Sequence, residues 1–382
     1  MFAAFIWVYF SFNFALIMRL YCALRGPGMS RARRVGICLP VVALALAFPA
    51  SRLIEGNGFG VKALTFVGTF SLSIMLHAVL VWALVDVFRL FNRCFHWLVI
   101  APAQRVQWRH RCCAGIAGAA LLLSCAGFIN TQYPMVREVK LPAPADTAPL
   151  RIVLVSDVHL GRLASPEFFA GVVDQIVPLS PDLVLFAGDI LEYDFDPADA
   201  GALAAALQRL KPRLGIWSVT GNHEYIGGRG GLSRSLLRQI GMGLLVDQWA
   251  AVGEAPGEKL LLIGRDDLSA GYTTGHPRKA LREIIADAPE DGRLKILLDH
   301  QPFRLEEAEA AGIYLQVSGH THNGQLFPVN WLVAMLFENA HGHSVRGGTH
   351  YWVTSGVGTW GPRVRTSGRA EIVQIDLVPQ AQ

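Results

Sequence analysis

The stretch Arg151-Ile152-Val153-Leu154-Val155-Ser156-Asp157-Val158-His159 sets an apolar run of strand length directly against a carboxylate and an imidazole. Such a run predicts a buried strand, and the change to Asp-x-His predicts the mouth of a sheet. The same pattern returns four times. Residues 183–186 lead into Gly188-Asp189, and 216–219 into Gly221-Asn222-His223-Glu224. Residues 295–298 lead into Asp299-His300, and 315–317 into Ser318-Gly319-His320-Thr321-His322. A further strand is expected at 259–263, with late antiparallel strands at 351–354 and 371–377. Helices are expected at 166–177, 198–210, 277–286 and 305–311. In the first of these, Phe168, Phe169, Val172, Val173 and Ile176 share one face. Strand–helix alternation predicts an α/β domain with buried sheets. In open α/β sheets, ligands bind beyond the carboxyl ends of the strands.

Carboxylate, amide oxygen and imidazole donors suit Mn, Fe or Zn, and the lack of sulfur argues against a structural zinc site. All six cysteines (Cys22, Cys38, Cys94, Cys112, Cys113, Cys125) precede residue 130, so no thiolate site or disulfide framework exists beyond it. Two ions about 3.5–4 Å apart need a shared ligand between them. Asp189, from the middle of the series, is the natural bridge, and Gly188 lets the backbone come close.

Taken together, Asp157-Val-His159, Gly188-Asp189, Gly221-Asn-His-Glu224, His300 and Gly319-His-Thr-His322 resemble the five blocks of calcineurin-like metallophosphoesterases. Ser156-Asp-Val-His-Leu-Gly161, Gly319-His-Thr-His-Asn-Gly-Gln325 and Ser355-Gly-Val-Gly-Thr-Trp-Gly-Pro-Arg363-Val-Arg365 are similar to its membrane-attached bacterial branch. That branch includes transmembrane proteins with a metallophosphoesterase domain. Asn323 departs from the glycine frequent there. The resemblance implies a two-sheet α-β-β-α sandwich over residues 150–382 and two divalent metal ions. It implies that Asp157, His159 and His322 hold the first ion, Asp189 bridges, and Asn222, His300 and His320 hold the second. It assigns His223 to the leaving group, where an imidazole acid is typically worth about 10²–10⁴-fold in rate. Arg363 and Arg365 are candidate phosphate clamps. Glu192, Asp194 and Asp196 read as an exposed acidic loop, and His341, His343 and His350 as loop or surface histidines.

The front of the chain is different. Over 382 residues, 52% are hydrophobic, 17% are charged, and the mean hydropathy is +0.34, too apolar for an average soluble protein. The excess lies in runs at 2–18, 35–50, 64–85 and 114–129. Each approaches the roughly 20 residues that span a bilayer as helix. Residues 1–130 therefore read as a four-helix transmembrane region and 131–149 as a linker with one edge strand at 136–141. Asn13 and His77 read as polar positions that pack or hydrogen-bond between the helices. Arginines crowd the first and third connectors (Arg19, Arg25, Arg31, Arg33, Arg34; Arg89, Arg93, Arg105, Arg109, Arg111). By the positive-inside rule these face the cytoplasm, which places both termini on the periplasmic side of an inner membrane. The net charge of +4 then reflects topogenic loops and needs no nucleic-acid partner.

Lipid bilayer and phosphoester substrate are the expected partners, with a lipid or lipid-linked phosphoester as the expected target and manganese among the candidate metals. Two alternatives stand beside this. One is a UDP-2,3-diacylglucosamine-type pyrophosphate hydrolase, which would require a cytoplasmic domain. The other is a non-catalytic membrane sensor with a phosphoesterase-like domain. No His-Glu-x-x-His motif supports a metallopeptidase.

Overall fold

The computed structural model describes residues 2–380, with side chains from residue 7 onward. Two compact units are present: Met1–Ile129 with Gly361–Thr366, and Asn130–Trp360 with Ser367–Gln382.

The first unit is helical: α1 (Phe2–Ala23), α2 (Arg31–Leu53), α3 (Phe59–Phe95) and α4 (Arg105–Asn130). Its interior carries Thr65, Thr69, Ser71, Ser73, His77 and Ser124, while Phe14, Leu39, Leu84, Leu90 and Leu122 face outward. That is the reverse of a soluble fold. It suits a lipid surround, where hydroxyls bond inside the bundle and close contact drives packing. Ser71 Oγ donates to Leu44 O at 2.9 Å, and His77 Nδ1 lies 2.9 Å from Ser124 Oγ. Among the described residues, Arg31–Leu53, Phe59–Phe95 and Pro102–Asn130 are long and apolar enough to cross a membrane; Trp7–Ala23 is a shorter apolar helix. Three helices meet the criterion, against the four expected. The runs at 35–50 and 114–129 belong to longer helices than their apolar cores suggested. Several arginines assigned to connectors sit on helix ends instead, Arg31 and Arg33 opening α2 and Arg93 closing α3.

The second unit contains twelve strands among the described residues. These are β1 (Met135–Ala143), β2 (Leu150–Val155), β3 (Leu183–Phe186), β4 (Ile216–Ser218), β5 (Gly243–Leu244) and β6 (Gln248–Val252), then β7 (Leu260–Gly264), β8 (Leu294–Leu298), β9 (Leu315–Ser318), β10 (Gly342–Arg346), β11 (Thr349–Val353) and β12 (Glu371–Pro379). Its helices are α5 (Pro166–Ile176), α6 (Ala200–Leu207), α7 (Gly230–Gln239), α8 (Ser269–Thr274), α9 (Leu281–Ile284), α10 (Leu305–Ala310) and α11 (Val329–Leu336).

Two six-stranded sheets run β1-β12-β2-β3-β4-β5 and β10-β11-β9-β8-β7-β6. Both are mixed: β2, β3, β4 and β5 are parallel, as are β7, β8, β9 and β11, while β12 opposes β2 and β6 opposes β7. Strand β11 is thus parallel to β9, and β12 parallel to β1, so the two late strands are only partly antiparallel in their pairing. Strand β1 occupies the sheet edge, as expected, but with nine residues in register. Nine of the nineteen residues 131–149 are strand.

The period-two alternation of β2 explains the layers. Ile152 and Leu154 face the second sheet, packed with Leu260, Leu262, Ile296, Leu298, Leu315 and Val317. Val153 and Val155 face the other way, against Phe169, Val172 and Val173 of α5 and Leu203 and Leu207 of α6. On the far side, Leu261, Ile263 and Leu297 pack on Leu281 and Ile284 of α9 and Leu305 and Ala308 of α10. The result is helix, sheet, sheet, helix. Each fully buried aliphatic or Phe side chain contributes about 1.5–3 kcal/mol.

Candidate metal centre

The carboxyl ends of β2, β3 and β4 in one sheet and of β8 and β9 in the other open at one mouth. The loops there are tied together by backbone bonds. Asp157 and His159 donate to Gly188 O and Asp189 O, each at 3.0 Å, and Gly319 donates to His300 O at 3.0 Å. Leu160 and Leu191 form a parallel bridge that prolongs the β2–β3 pairing past the sheet.

Five residues of the mouth hold left-handed backbone: Asp157 (φ 55°), His159 (54°), Asp189 (51°), His320 (68°) and His322 (50°). Such conformations cost about 1–3 kcal/mol each and persist where the surroundings impose them. Gly188, at φ 89°, could not carry a side chain: a Cβ there would lie 2.7 Å from His300 Nδ1.

Asp157, His159 and His322 bring ligand atoms within 4.8 Å of one another, as do Asp189, His300 and His320. Asp189 stands between the groups: its Oδ2 lies 3.1 Å from His300 Nε2 and 3.9 Å from His159 Nε2. Asn222 Oδ1 is 2.8 Å from His320 Nδ1. Backbone donors fix the carboxylates, His320 N–H bonding Asp157 at 3.0 Å and His223 N–H bonding Asp189 Oδ1 at 2.8 Å. All seven expected ligands and His223 therefore lie in one cluster.

The donors fit divalent cations. His300 Nδ1 lies 2.7 Å from Ala187 O, so it carries the proton. Its Nε2 is buried without a hydrogen bond and faces the Asp189 carboxylate. His159 is held likewise, Nδ1 at 2.8 Å from Glu192 Oε1 and Nε2 at 3.0 Å from His322 Nε2. Lone pairs converging on lone pairs and carboxylates need positive charge between them.

The electrostatics agree. Burial works to raise Asp157, but His322 and His300 hold it far below the usual carboxylate range. Asp189 is likewise held low by His300 and His223 against burial. His300 is raised well above its ordinary value by Asp189, against burial. Burial and then His300 pull His320 down to about 4, leaving a neutral imidazole.

Two acidic residues gain roles. Glu192 is no exposed loop residue: it accepts from His159 and stands 3.0 Å from His223 Nδ1. The Leu160–Leu191 bridge carries it there. Asp194 is largely buried beside Arg162, and Asp196 caps the turn at Pro197. Glu224 is buried and accepts from four backbone N–H groups, those of Asp189, Ile190, Leu191 and Gly221, tying the β3 and β4 loops together. Burial and Asp189 still push its carboxyl up to about 7. Asn323, where glycine is frequent, takes left-handed backbone at φ 48°. Arg365 donates its backbone N–H to Gly127 O at 2.9 Å, and Arg363 lies over the Phe128 ring, both in the helical unit. His343 and His350 stack on the β10–β11 hairpin, and His341 pairs with Glu371 at 3.2 Å.

Five loops of a two-sheet sandwich converging carboxylates, imidazoles and an amide define a dinuclear metal-binding α/β domain. Residues 150–324 match the calcineurin-like phosphoesterase family. It is 34% identical over 270 residues to a transmembrane protein with metallophosphoesterase domain from Danio rerio, covering 67% of this chain and 60% of that one. It is 31% identical over 247 residues to an uncharacterized metallophosphoesterase from Campylobacter jejuni, covering 64% of each. The chain thus spans under two thirds of these relatives. A solved dimetal phosphatase from Danio rerio aligns at a TM-score of 0.32 and 14% identity, over 56% of this chain and 88% of that one. The family works with two divalent metal ions.

Proposed function

We propose that this chain is a membrane-anchored phosphohydrolase cleaving phosphoester bonds, with a lipid or lipid-linked substrate. The observation that carries the reading is the pair of ligand groups meeting at Asp189, with His223 alongside. Asp157, His159 and His322 would hold one cation, Asn222, His300 and His320 the other, with Asp189 shared. When bound, such a pair supplies Lewis acidity toward phosphoryl oxygens and a water acidified for attack. The chain supplies the rest. Glu192 orients His159 and His223 from one carboxylate oxygen. Burial works against a charged His223, but Asp189 and Glu192 outweigh it and raise the imidazole to about 9. An imidazole charged in this way is able to give a proton to a departing alkoxide.

Three helices able to cross a membrane support a lipid-borne substrate, because tethering concentrates the site where such esters reside. With α1 counted as a fourth span, the arginine bias supports an extracytoplasmic domain. The test is a screen of the purified full chain in lipid nanodiscs with Mn, Fe or Zn. Substrates are aryl monoesters, aryl diesters and phospholipids. Metal-dependent release of phosphate or alcohol is expected; inertness toward all three classes with every metal would sink the proposal.

A further inference from the structure

Helix α11 reverses the usual logic of a surface helix. Residues 323–337 contain no charged side chain, and none of the eight helical residues is buried. Trp331, Leu332, Met335 and Leu336 are 63%, 56%, 75% and 72% exposed. Spaced as two i, i+4 pairs, they form one continuous outward face. Phe327 extends it, edge-on to Trp331 at 5.0 Å. Contiguous apolar surface of this kind marks an interaction site. It also runs toward the metal centre: Phe337, at the end of α11, stacks on Phe303 at 4.7 Å and meets the His320 ring at 5.9 Å.

We propose that α11 is an interfacial helix whose apolar face sits in the headgroup region of a lipid bilayer. Two observations select lipid over another protein. The same chain carries helices able to cross a membrane, and β1 begins at Met135, directly after α4 ends at Asn130. The unit that bears α11 therefore follows these helices along the chain with only residues 131–134 between them. The face itself has the composition of an interfacial helix, with Trp, Leu and Met outward and no acidic residue to repel lipid. Docking would hold the mouth beside His320 at the lipid surface, so this inference deepens the lipid-substrate reading and rests on it for its kinetic consequence.

Two measurements on the full chain in nanodiscs test it. The first compares tryptophan emission of wild type and Trp331→Phe in discs with and without brominated acyl chains. The Trp331-dependent part should fall about twofold or more with bromine, as for an indole at the acyl boundary; an unquenched Trp331 overturns the proposal. This reading needs no turnover, so it stands or falls apart from the phosphohydrolase assignment. The second uses the variant Trp331→Ser, Leu332→Ser, Met335→Ser, Leu336→Ser. Hydrolysis of an acyl-chain phosphoester in the disc should drop about tenfold or more, while that of a water-soluble aryl phosphoester stays within about twofold. Equal rates on both substrates, loss of both, or conversion of a dimer to a monomer with lipid hydrolysis intact would each overturn it.

Discussion

His159 and His322 direct their Nε2 atoms at one another across 3.0 Å. Glu192 holds the His159 ring from behind through Nδ1, and the Asp157 carboxylate lies 3.2 Å from His322 Nε2 on the facing side. The bond at Nδ1 restrains the His159 ring and leaves its Nε2 directed into the cluster.

Asp189 stands between the two groups, 3.1 Å from His300 Nε2 and 3.9 Å from His159 Nε2, and is the proposed shared ligand. Asp189→Asn keeps the shape and removes the charge. Turnover should fall about 10³-fold or more, the scale of losing charge stabilisation at a reacting phosphoryl group. Bound metal, measured by plasma mass spectrometry, should fall below the wild-type content. Wild-type turnover would refute a shared carboxylate.

His223 groups with His159 and Glu192 in the cluster rather than with either proposed ligand triad. His223→Ala should lower kcat about 10²–10⁴-fold, the range for loss of a general acid, with metal content unchanged. Loss of one metal equivalent would make His223 a ligand.

Glu192 acts through the rings it holds. Glu192→Gln should weaken metal affinity about 10–100-fold, as expected for loss of a carboxylate behind a ligating histidine. Calorimetric titration of the metal-free protein measures it, and an unchanged affinity would show that Glu192 is a bystander.

Glu371, buried at the start of β12, is held by His341, Arg137 and the Ser355 N–H to a pKa of about 2, against burial. A depressed folded-state value stabilises the fold above the unfolded value near 4.5 and loses that contribution as pH falls toward 2. The shift corresponds to about 3 kcal/mol. Wild type should lose thermal stability between pH 5 and 2 more steeply than Glu371→Gln, monitored by intrinsic fluorescence (both ranges roughly set by the two pKa values). Parallel curves would count against the assignment.

The side of the membrane is testable with reporters fused after Gln382. Alkaline phosphatase should be active and a cytoplasm-restricted fluorescent protein dark. The opposite result would return the domain to the cytoplasm and favour the UDP-diacylglucosamine reading, without touching the metal centre.

The strands that position the site were legible because they are short apolar runs with one composition throughout. Leu183–Phe186 is the clearest, buried over its full length. The helix expected at 277–286 shrinks to Leu281–Ile284. Its first residues are claimed by tertiary bonds: Arg278 binds Asp299 at 2.8 Å, and the Lys279 N–H binds Asp247 at 2.8 Å. Helix α7 opens on Gly230-Gly231, poor helix formers, and its pattern does not announce it. The ligands were legible from residue type and position after strands. Glu192 was not, because its place depends on the Leu160–Leu191 bridge, a pairing between segments 31 residues apart that periodicity does not encode.

Strand β1 pairs with β12 from Met135–Glu371 to Ala143–Pro379. The first strand to leave the ribosome after the helices must therefore wait for residues more than two hundred positions later. Until they emerge, β1 lacks its neighbour, and β2 lacks the antiparallel partner that β12 provides. Closure of that sheet is a late, non-local event, of the kind that slows folding. A chain stopped before residue 371 would present two unpaired strand edges next to a membrane. Premature termination should thus leave an aggregation-prone product rather than a shortened domain.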